Sequence, residues 1–221
     1  MNKYKVVVFD LDGTLIDTIK DIANTMNSVL QDLELPTHPV SAYYYFVGSG
    51  VIELCKRALP AEMKNEETAF RCRDMFNEFY HKNWHEYSKP YEGIKELLAY
   101  IASTDTKIGV FSNKPQHFCE LMMEHFFPEV RFSFVRGTRP NIQPKPHPAG
   151  GLEILKEMNL QPEEVMYVGD TDIDMQTAVN CGFFGIGAEW GFRTKDELVK
   201  TGAKLTFSTP LEMMKYLKEK R

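Results

Sequence analysis

The chain has 221 residues, a formal net charge of −5, and 43% hydrophobic and 12% aromatic residues. A chain of this size and composition buries a sizeable core, so we expect one globular domain, or a core with a second small lobe, and no extensive disorder. The acidic balance argues against nucleic acid as a partner, because phosphate neutralisation needs a basic stripe. No apolar run approaches the roughly 20 residues of a membrane span and no signal-peptide pattern opens the chain, so we expect no membrane association.

The four cysteines, Cys55, Cys72, Cys119 and Cys181, are scattered along the chain without a Cys-x-x-Cys pair. This spacing is typical of reduced, mostly buried thiols, because disulfides persist mainly in oxidising compartments. We therefore expect a cytoplasmic protein.

The first predicted element is a buried strand over residues 4–9, rich in valine. Asp10 and Asp12 follow it directly, and Gly13 marks the turn that ends it. Two carboxylates so close to a buried strand end repel each other and lose hydration, so such a pair usually needs a cation or a shared proton. Like-charged carboxyls in different environments are also how one becomes a nucleophile and its neighbour an acid. The pair predicts a Mg²⁺-dependent enzyme that forms an aspartyl-phosphate.

Residues 18–88 are predicted to form a helical bundle inserted into the chain. Apolar residues lie on one helical stripe at Ile19, Ile22, Met26, Val29, Leu30 and Leu33. Breaks follow at residues 36–39, at residues 48–50 and near Pro60. We therefore predict a catalytic core over residues 1–17 and 89–221, and a helical cap over residues 18–88. Such a cap would act as a lid that excludes water from a phosphoryl-transfer site.

From about residue 90 onward, predicted strands alternate with amphipathic helices. The strands cover residues 107–111, 132–135, 165–168, 184–186 and 205–207, and the helices cover residues 93–102, 116–125, 149–158, 172–181, 195–200 and 211–218. Alternation of this kind predicts an α/β fold, a parallel sheet with helices on both faces. Asp10, Ser112 and Asp170 each directly follow a predicted strand, so we expect them to converge at the carboxyl edge, where ligands bind in such sheets. Lys145, in a Pro-rich loop ahead of a helix, can reach the same edge.

Four segments resemble, in order and spacing, the signatures of the haloacid dehalogenase superfamily. They are Asp-Leu-Asp-Gly-Thr-Leu-Ile-Asp-Thr at residues 10–18, Phe-Ser-Asn-Lys at 111–114, Gln-Pro-Lys-Pro at 143–146 and Val-Gly-Asp-Thr-Asp-Ile-Asp at 168–174. Asp-x-Asp alone is common by chance, but the four together frame nearly the whole chain. Trp-Gly-Phe-Arg at residues 190–193, with Glu-Leu at 197–198 and Gly-Ala at 202–203, is similar to the phosphoglycolate phosphatase group. The resemblance implies a Rossmann-like core with a helical cap inserted between the first two signatures.

The resemblance and the chemistry of phosphate esters give roles to the signature residues. Asp10 is the predicted nucleophile, and Asp12 is predicted to protonate the leaving oxygen and then to deprotonate the attacking water. Because Mg²⁺ prefers oxygen ligands, the predicted metal ligands are Asp10, Asp170 and the backbone carbonyl of Asp12. Ser112 is predicted to hydrogen-bond the phosphate, and Lys145 to neutralise charge on the transferring phosphoryl group.

Three further residues near these signatures are predicted to support the site, and for a fourth two interpretations stay open. Asp174 lies four residues after Asp170 on the same helical face and, by resemblance, supports the metal site from behind the ligands. Thr14 is a supporting residue of the first signature, and the Asn113 amide is predicted to join Ser112 at the phosphate. Lys114 fits the second signature, but a solvated lysine at a helix start explains it equally well.

The cap segment contains possible substrate contacts. Gly48, Ser49 and Gly50 resemble the cap loop that meets the substrate in this family. Arg57 follows the loop and is a candidate for binding a substrate carboxylate, although an ordinary solvated cation on a helix is the favoured interpretation.

The predicted reaction is Mg²⁺-dependent hydrolysis of a small phosphorylated metabolite, a phosphomonoester, with 2-phosphoglycolate as the first candidate by resemblance. An inorganic pyrophosphatase or a sugar-phosphate phosphatase of the same superfamily is the alternative. A phosphohexomutase is disfavoured because this chain has Gly169 before Asp170, where the mutase pattern has a Glu-Asp pair. A dehalogenase is disfavoured because it has no leaving alkoxide to protonate, so that Asp12 would have no role. The rival of another class, a receiver-like phosphoaspartate signalling module, lacks the second aspartate and an insertion at the first strand.

Overall fold

The computed structural model describes residues 3–220 and divides into two compact units. The larger unit runs to Ile16 and resumes at Pro90, and the smaller unit is Asp17–Lys89. The sequence analysis placed each boundary one residue away from these positions. Within the described residues no helix is both long and apolar enough to cross a membrane.

The larger unit is built on a six-stranded parallel sheet. In chain order the strands are β1 (Val6–Phe9), β2 (Ile16–Asp17), β3 (Lys89–Pro90), β4 (Lys107–Pro115), β5 (Phe134–Thr138), β6 (Val165–Gly169), β7 (Phe184–Ala188) and β8 (Leu205–Phe207). The six strands of the main sheet are ordered β5-β4-β1-β6-β7-β8, and β2 and β3 pair separately. This α/β arrangement is the Rossmann-like core that the sequence analysis predicted.

β1 lies in the centre of the sheet because its whole sequence is apolar. Its four residues have no exposed surface, as expected for a parallel strand covered on both faces. Phe9 is in register with Val110 of β4 and with Val168 of β6. The carboxyl ends of these three strands therefore meet at one edge of the sheet.

The smaller unit is helical. Its helices are α1 (Ile19–Asp32), α2 (Val40–Phe46), α3 (Val51–Ala58) and α4 (Glu66–Asn83), with a 3₁₀ turn at Ala61–Met63. The apolar stripe predicted from the sequence is buried along α1, while Leu33 lies just past its end. The N-terminus of α4 is capped by Asn65, whose side chain accepts a 2.9 Å hydrogen bond from the Thr68 amide.

The remaining helices belong to the larger unit. They are α5 (Ile94–Ala102), α6 (Gln116–Phe126), α7 (Ala149–Met158), α8 (Asp172–Cys181), α9 (Lys195–Thr201) and α10 (Pro210–Glu219). On one side of the sheet Val6 and Val8 of β1 belong to the same apolar cluster as Ile154 of α7 and Ala178 of α8. This packing holds α8 against the sheet, so that the N-terminus of α8 lies at the carboxyl end of β6.

The predicted limits of β4 and β5 were wrong. β4 does not end at Phe111 but continues to Pro115, and β5 covers Phe134–Thr138 instead of residues 132–135. The register of the pair shifts between Phe111 and Pro115, which pairs with Thr138. Polar residues at the end of each strand carry no strand signal of their own, and they are extended because the neighbouring strand pairs with them.

Candidate active site

Three buried carboxylates lie together at the carboxyl edge of the sheet. Asp10 follows β1, Asp170 follows β6, and Asp174 lies in the first turn of α8. Each offers an oxygen within 4.8 Å of the others, and none is more than 5% exposed. The structure thus brings together Asp10 and Asp170, which lie 160 residues apart in the sequence, as the parallel sheet predicts.

The crowding of these carboxylates disfavours their ionised forms. Burial, followed by the charge of Asp174, raises the pKa of Asp10 from its ordinary value of 3.8 to about 7, against the opposing charge of Lys145. Burial, followed by the charges of Asp174 and Asp10, raises the pKa of Asp170 well above its ordinary range. A cation bound among them would reverse both effects.

The donor set fits Mg²⁺. Asp10 Oδ1 is buried and accepts no hydrogen bond from any residue between 3 and 220, although Lys145 Nζ lies 3.0 Å away. An unsatisfied buried carboxylate oxygen beside Asp170 is the kind of hard oxygen ligand that Mg²⁺ prefers. The residues that would hold the ion are therefore Asp10 and Asp170, with the backbone carbonyl of Asp12 as the third predicted ligand.

Asp170 is held by residues from two distant segments. Its Oδ1 accepts a 2.6 Å hydrogen bond from Thr14 Oγ1, and its Oδ2 accepts a 2.9 Å bond from the Phe192 amide. Trp190 Nε1 in turn donates to the Thr14 carbonyl at 2.9 Å. A Cβ on Gly191 would lie 2.2 Å from the Asp170 Cβ, so only glycine permits this approach. Residues 190–192, which the sequence analysis used only as markers of a protein group, therefore help to hold Asp170, a predicted metal ligand, in place.

Lys145 reaches the centre of the cluster from its loop. Its Nζ lies 2.6 Å from Asp174 Oδ1, 3.0 Å from Asp10 Oδ1 and 2.8 Å from the Tyr167 hydroxyl. The side chain is 1% exposed. Although burial alone acts to lower it, the charges of Asp10 and Asp174 raise the pKa of Lys145, so the ammonium form is retained. A fixed cation thus lies next to the predicted nucleophile.

Asp174 supports this lysine from α8. Its Oδ2 accepts hydrogen bonds from the Thr171 amide at 3.0 Å and the Thr171 hydroxyl at 2.6 Å, which closes the N-terminal cap of the helix. Its Oδ1 faces Lys145 and the Tyr167 hydroxyl, the latter at 3.1 Å. Because both oxygens are engaged by protein groups, Asp174 orients Lys145 and the start of α8, and its support of a metal site stays a prediction.

Ser112 lies inside β4 and not after it, which corrects the position predicted from the sequence. The side chain is 3% exposed. Its hydroxyl still faces the cluster, close enough to the Asp10 carboxylate to oppose the rise in the pKa of that group. The hydroxyl group thus lies beside the predicted nucleophile, and its contact with a phosphoryl oxygen stays a prediction.

Asn113 is engaged with the loop that carries Lys145. Its Nδ2 donates to the Lys145 carbonyl at 2.9 Å, and its Oδ1 accepts from the Lys145 amide at 2.8 Å. Both ends of the Asn113 amide thus bind backbone, whereas the sequence analysis placed this amide at the phosphate. Asn113 therefore attaches the loop that carries Lys145 to β4. Because side chains alternate along a strand, the Asn113 side chain faces away from that of Ser112.

Asp12 is paired with Lys114. The Lys114 Nζ lies 2.9 Å from one Asp12 carboxylate oxygen and 3.3 Å from the other. Lys114 belongs to β4 and is buried, so the interpretation of a solvated lysine at a helix start was wrong. The second signature therefore supplies the site with a hydroxyl and a cation on alternate residues.

Gly48, Ser49, Gly50 and Arg57 lie in the smaller unit. Arg57 Nη1 donates to two backbone carbonyls at the end of α2, at 3.1 and 3.0 Å, and Nη2 donates to Ser49 Oγ at 2.9 Å. Gly48 and Gly50 have φ angles of 122° and 87°, which favour glycine. Arg57 thus stabilises the glycine loop, whereas the sequence analysis favoured a solvated cation. Contact of these residues with a substrate stays a prediction.

One residue of the site, Tyr167, was missed in the sequence. It is fully buried in β6, and its hydroxyl lies 2.9 Å from the Phe111 carbonyl as well as near Asp174 and Lys145. A tyrosine in an apolar strand is normally read as core packing. The available signal was its position three residues before Asp170, on the strand that delivers that carboxylate.

Comparisons with known proteins agree with this geometry. The family model described as haloacid dehalogenase-like hydrolase matches residues 7–188. A phosphoglycolate phosphatase from Aquifex aeolicus is 29% identical over 216 residues, 96% of each chain, and one from Mannheimia succiniciproducens is 29% identical over 198 residues, 86% of this chain and 88% of its own. The crystal structure of a predicted phosphoglycolate phosphatase from Haemophilus somnus superposes with a TM-score of 0.90 at 26% identity, covering 98% of this chain and 99% of that one.

Proposed function

Since the chain belongs to the haloacid dehalogenase-like hydrolase family, in which it is an enzyme of the phosphatase group, we propose that it hydrolyses a small phosphomonoester through an aspartyl-phosphate on Asp10. One observation carries the proposal. Asp10 Oδ1 is buried and accepts no well-aligned hydrogen bond from residues 3–220, and it lies between the other two carboxylates of the cluster and the Lys145 ammonium group, with which it forms an ion pair. When bound at Asp10 and Asp170, Mg²⁺ would neutralise charge on the phosphoryl oxygens.

In the first step Asp10 attacks phosphorus and the ester oxygen leaves. The Lys145 ammonium group, 3.0 Å from Asp10 Oδ1, lies where it would stabilise the charge that spreads over the transferring phosphoryl group. The Ser112 hydroxyl beside Asp10 would bind a phosphoryl oxygen. Asp12 would protonate the leaving alkoxide, which otherwise departs slowly.

In the second step water attacks the phosphorus of the aspartyl-phosphate. Asp12, now without its proton, would accept one from this water, and Asp10 is released as inorganic phosphate forms. The second aspartate distinguishes this function from a receiver-like signalling module, which keeps its phosphoaspartate. The same residues that stabilise the first transition state serve the second.

2-Phosphoglycolate is the first candidate substrate, because the relatives that cover nearly the whole chain are phosphoglycolate phosphatases by name. The proposed roles of the core residues would serve phosphoryl transfer from any small phosphate compound. Pyrophosphate and sugar phosphates are therefore the alternatives within the same mechanism. The preference between them depends on the cap, for which Gly48, Ser49, Gly50 and Arg57 stay the predicted contacts.

The test compares Asp10→Asn with Asp12→Asn. Each purified variant is mixed with Mg²⁺ and 2-phosphoglycolate, quenched with acid and measured by intact mass. Asp10→Asn should lose at least roughly 1,000-fold in kcat and form no phosphoenzyme, because an amide does not attack phosphorus. Asp12→Asn should turn over 2-phosphoglycolate slowly. It should retain the added phosphate when p-nitrophenyl phosphate replaces 2-phosphoglycolate, because that leaving group departs without a proton.

Asp196→Asn, an exposed acid in the first turn of α9, is the matched control and should behave as the wild type. A phosphoenzyme on Asp10→Asn, or activity within tenfold of wild type in that variant, would rule out Asp10 as the nucleophile.

A further inference from the structure

Lys114 and Asp12 form an ion pair that the proposed mechanism does not use. The Lys114 Nζ contacts both oxygens of the Asp12 carboxylate, at 2.9 and 3.3 Å. The two side chains are only 5% and 13% exposed. An ammonium group with so little access to water needs an anionic partner, and a pair so buried is not a weak surface ion pair. The pair therefore fixes the direction of one carboxylate at the catalytic edge.

Lys114 faces Asp12 because side chains alternate along β4 with a period of two residues. Lys114 lies two positions after Ser112 on β4, and Asp12 lies two positions after Asp10. The Ser112 hydroxyl faces Asp10, and the Lys114 ammonium group bonds Asp12. Asn113, between them, bonds the backbone of the loop after β5, as expected when side chains alternate. Each catalytic aspartate thus has its own partner from the second signature.

We propose that Lys114 is a positioning residue for Asp12 in both steps of the reaction, an inference that rests on the proposed function. In the first step the Asp12 proton passes to the ester oxygen while the bond from Asp10 to phosphorus forms and the ester bond breaks. In the second step Asp12 takes a proton from water while the water oxygen bonds phosphorus and the bond to Asp10 breaks. Lys114 exchanges no proton. The ion pair corresponds to the ionised Asp12 that exists between the two transfers, and when Asp12 carries its proton the ammonium group can still donate a hydrogen bond to the carbonyl oxygen of the acid, so the group is held in place for both transfers.

Substrates with different leaving groups separate this role from general damage to the site. p-Nitrophenolate leaves without a proton, whereas the alkoxide of glycolate does not. In Lys114→Met we expect kcat for 2-phosphoglycolate to fall roughly 30-fold or more, since misplaced general acid–base groups typically cost about 10²–10⁴-fold. With p-nitrophenyl phosphate the same variant should release a burst of about one nitrophenolate per active site and then turn over slowly, because only the second step still needs Asp12.

Two measurements distinguish positioning from a structural role. The Mg²⁺ concentration for half-maximal activity should stay within about twofold of wild type in Lys114→Met, and Lys114→Arg should recover part of the rate because it retains a cation. Thermal unfolding is recorded for every variant. Lys114→Gln is measured in parallel, so that the comparison holds if the methionine variant is less stable.

A double-mutant cycle gives the decisive outcome. If Lys114 acts through Asp12, adding Lys114→Met to Asp12→Asn should lower kcat/KM by no more than about twofold further. A fully additive loss would mean that Lys114 acts on the phosphoryl group itself, and equal losses for both substrates without a burst would mean general damage; either result, or unchanged kinetics in Lys114→Met, overturns the proposal. Full activity in Asp12→Asn alone would instead overturn the proposed function.

Discussion

Thr14 and Asp170, 156 positions apart in the sequence, are joined by a 2.6 Å hydrogen bond from the threonine hydroxyl to Asp170 Oδ1. The other oxygen of Asp170 accepts from the Phe192 amide. These two bonds orient a carboxylate that is completely buried and whose pKa is raised well above its ordinary range, by burial first and by neighbouring carboxylates next. The protein thus holds a predicted metal ligand in place at a cost to its own stability, which a bound cation would offset.

Asp170→Asn should therefore separate metal binding from folding. An asparagine can accept from the Phe192 amide and donate to the Thr14 hydroxyl, so both bonds survive without the buried charge. We expect the metal-free variant to unfold at the wild-type temperature or above, while stabilisation by Mg²⁺ and activity are both lost. Differential scanning fluorimetry with and without Mg²⁺ measures the first two effects. An unchanged Mg²⁺-dependent shift in the variant would show that Asp170 is not a ligand.

The raised pKa of Asp10 predicts how the metal-free protein responds to pH. Its value rises from 3.8 to about 7 on folding, because of burial first and Asp174 next. Between these values the folded protein binds a proton that the unfolded chain has released, so the free energy of unfolding falls as pH rises through this window. We expect the melting temperature without metal to be lower at pH 8 than at pH 5, and the gain from Mg²⁺ to be larger at pH 8.

Asp10→Asn removes the titrating group and is the control for this pH dependence. The decrease in melting temperature between pH 5 and pH 8 should be smaller in the variant than in the wild type, both without metal. The prediction fails if the two proteins show the same decrease. Asp170, whose pKa is also raised, accounts for the slope that the variant retains.

The central part of the site could be predicted because it depends on strand ends. Asp10 and Asp170 each follow an apolar run, and neighbouring parallel strands bring their carboxyl ends to one edge, so their meeting needs no knowledge of side-chain packing. Lys145 lies in a loop ahead of a helix, from which the sequence analysis expected it to reach the same edge, but its role beside Asp10 was predicted only from the resemblance to the four signatures. The fold class followed in the same way, from the alternation of strands and helices after residue 90.

Tyr167, Lys114 and Arg57 could not be placed from the sequence. A buried tyrosine in a strand has the same pattern as core packing, and its hydroxyl partners come from three other segments. Lys114 stands before a proline and a helix, where a strand end and a solvated helix start look alike, and only the pairing of β5 decides between them. The partners of Arg57 are mostly backbone carbonyls, which carry no sequence signal.

The smaller unit contains a buried carboxylate whose removal should destabilise it. Asp21 of α1 is 2% exposed and accepts hydrogen bonds from the Tyr87 amide, the Ser88 amide and the Ser88 hydroxyl. Asp21→Ala leaves these donors without their partner, which we expect to cost about 2–4 kcal/mol in the free energy of unfolding. Urea denaturation followed by circular dichroism measures the change. Asp32→Ala, at the exposed end of the same helix, is the control and should stay within about 0.5 kcal/mol of wild type.

The last prediction concerns the substrate, and it tests whether this protein prefers the compound for which its relatives are named. Among 2-phosphoglycolate, pyrophosphate and a hexose phosphate, we expect kcat/KM to be highest for 2-phosphoglycolate. It is a small ester, and its carboxylate has the opposite charge to Arg57, the cation that stabilises the predicted substrate loop of the cap. Arg57→Lys keeps that charge but not the three hydrogen bonds to the loop, so it should lower kcat/KM for 2-phosphoglycolate more than for p-nitrophenyl phosphate. Steady-state kinetics of both proteins on the four substrates measures these ratios. If 2-phosphoglycolate is more than about tenfold worse than pyrophosphate or the hexose phosphate, equivalent to about 1.4 kcal/mol in transition-state binding, the substrate assignment is wrong while the phosphatase mechanism stands.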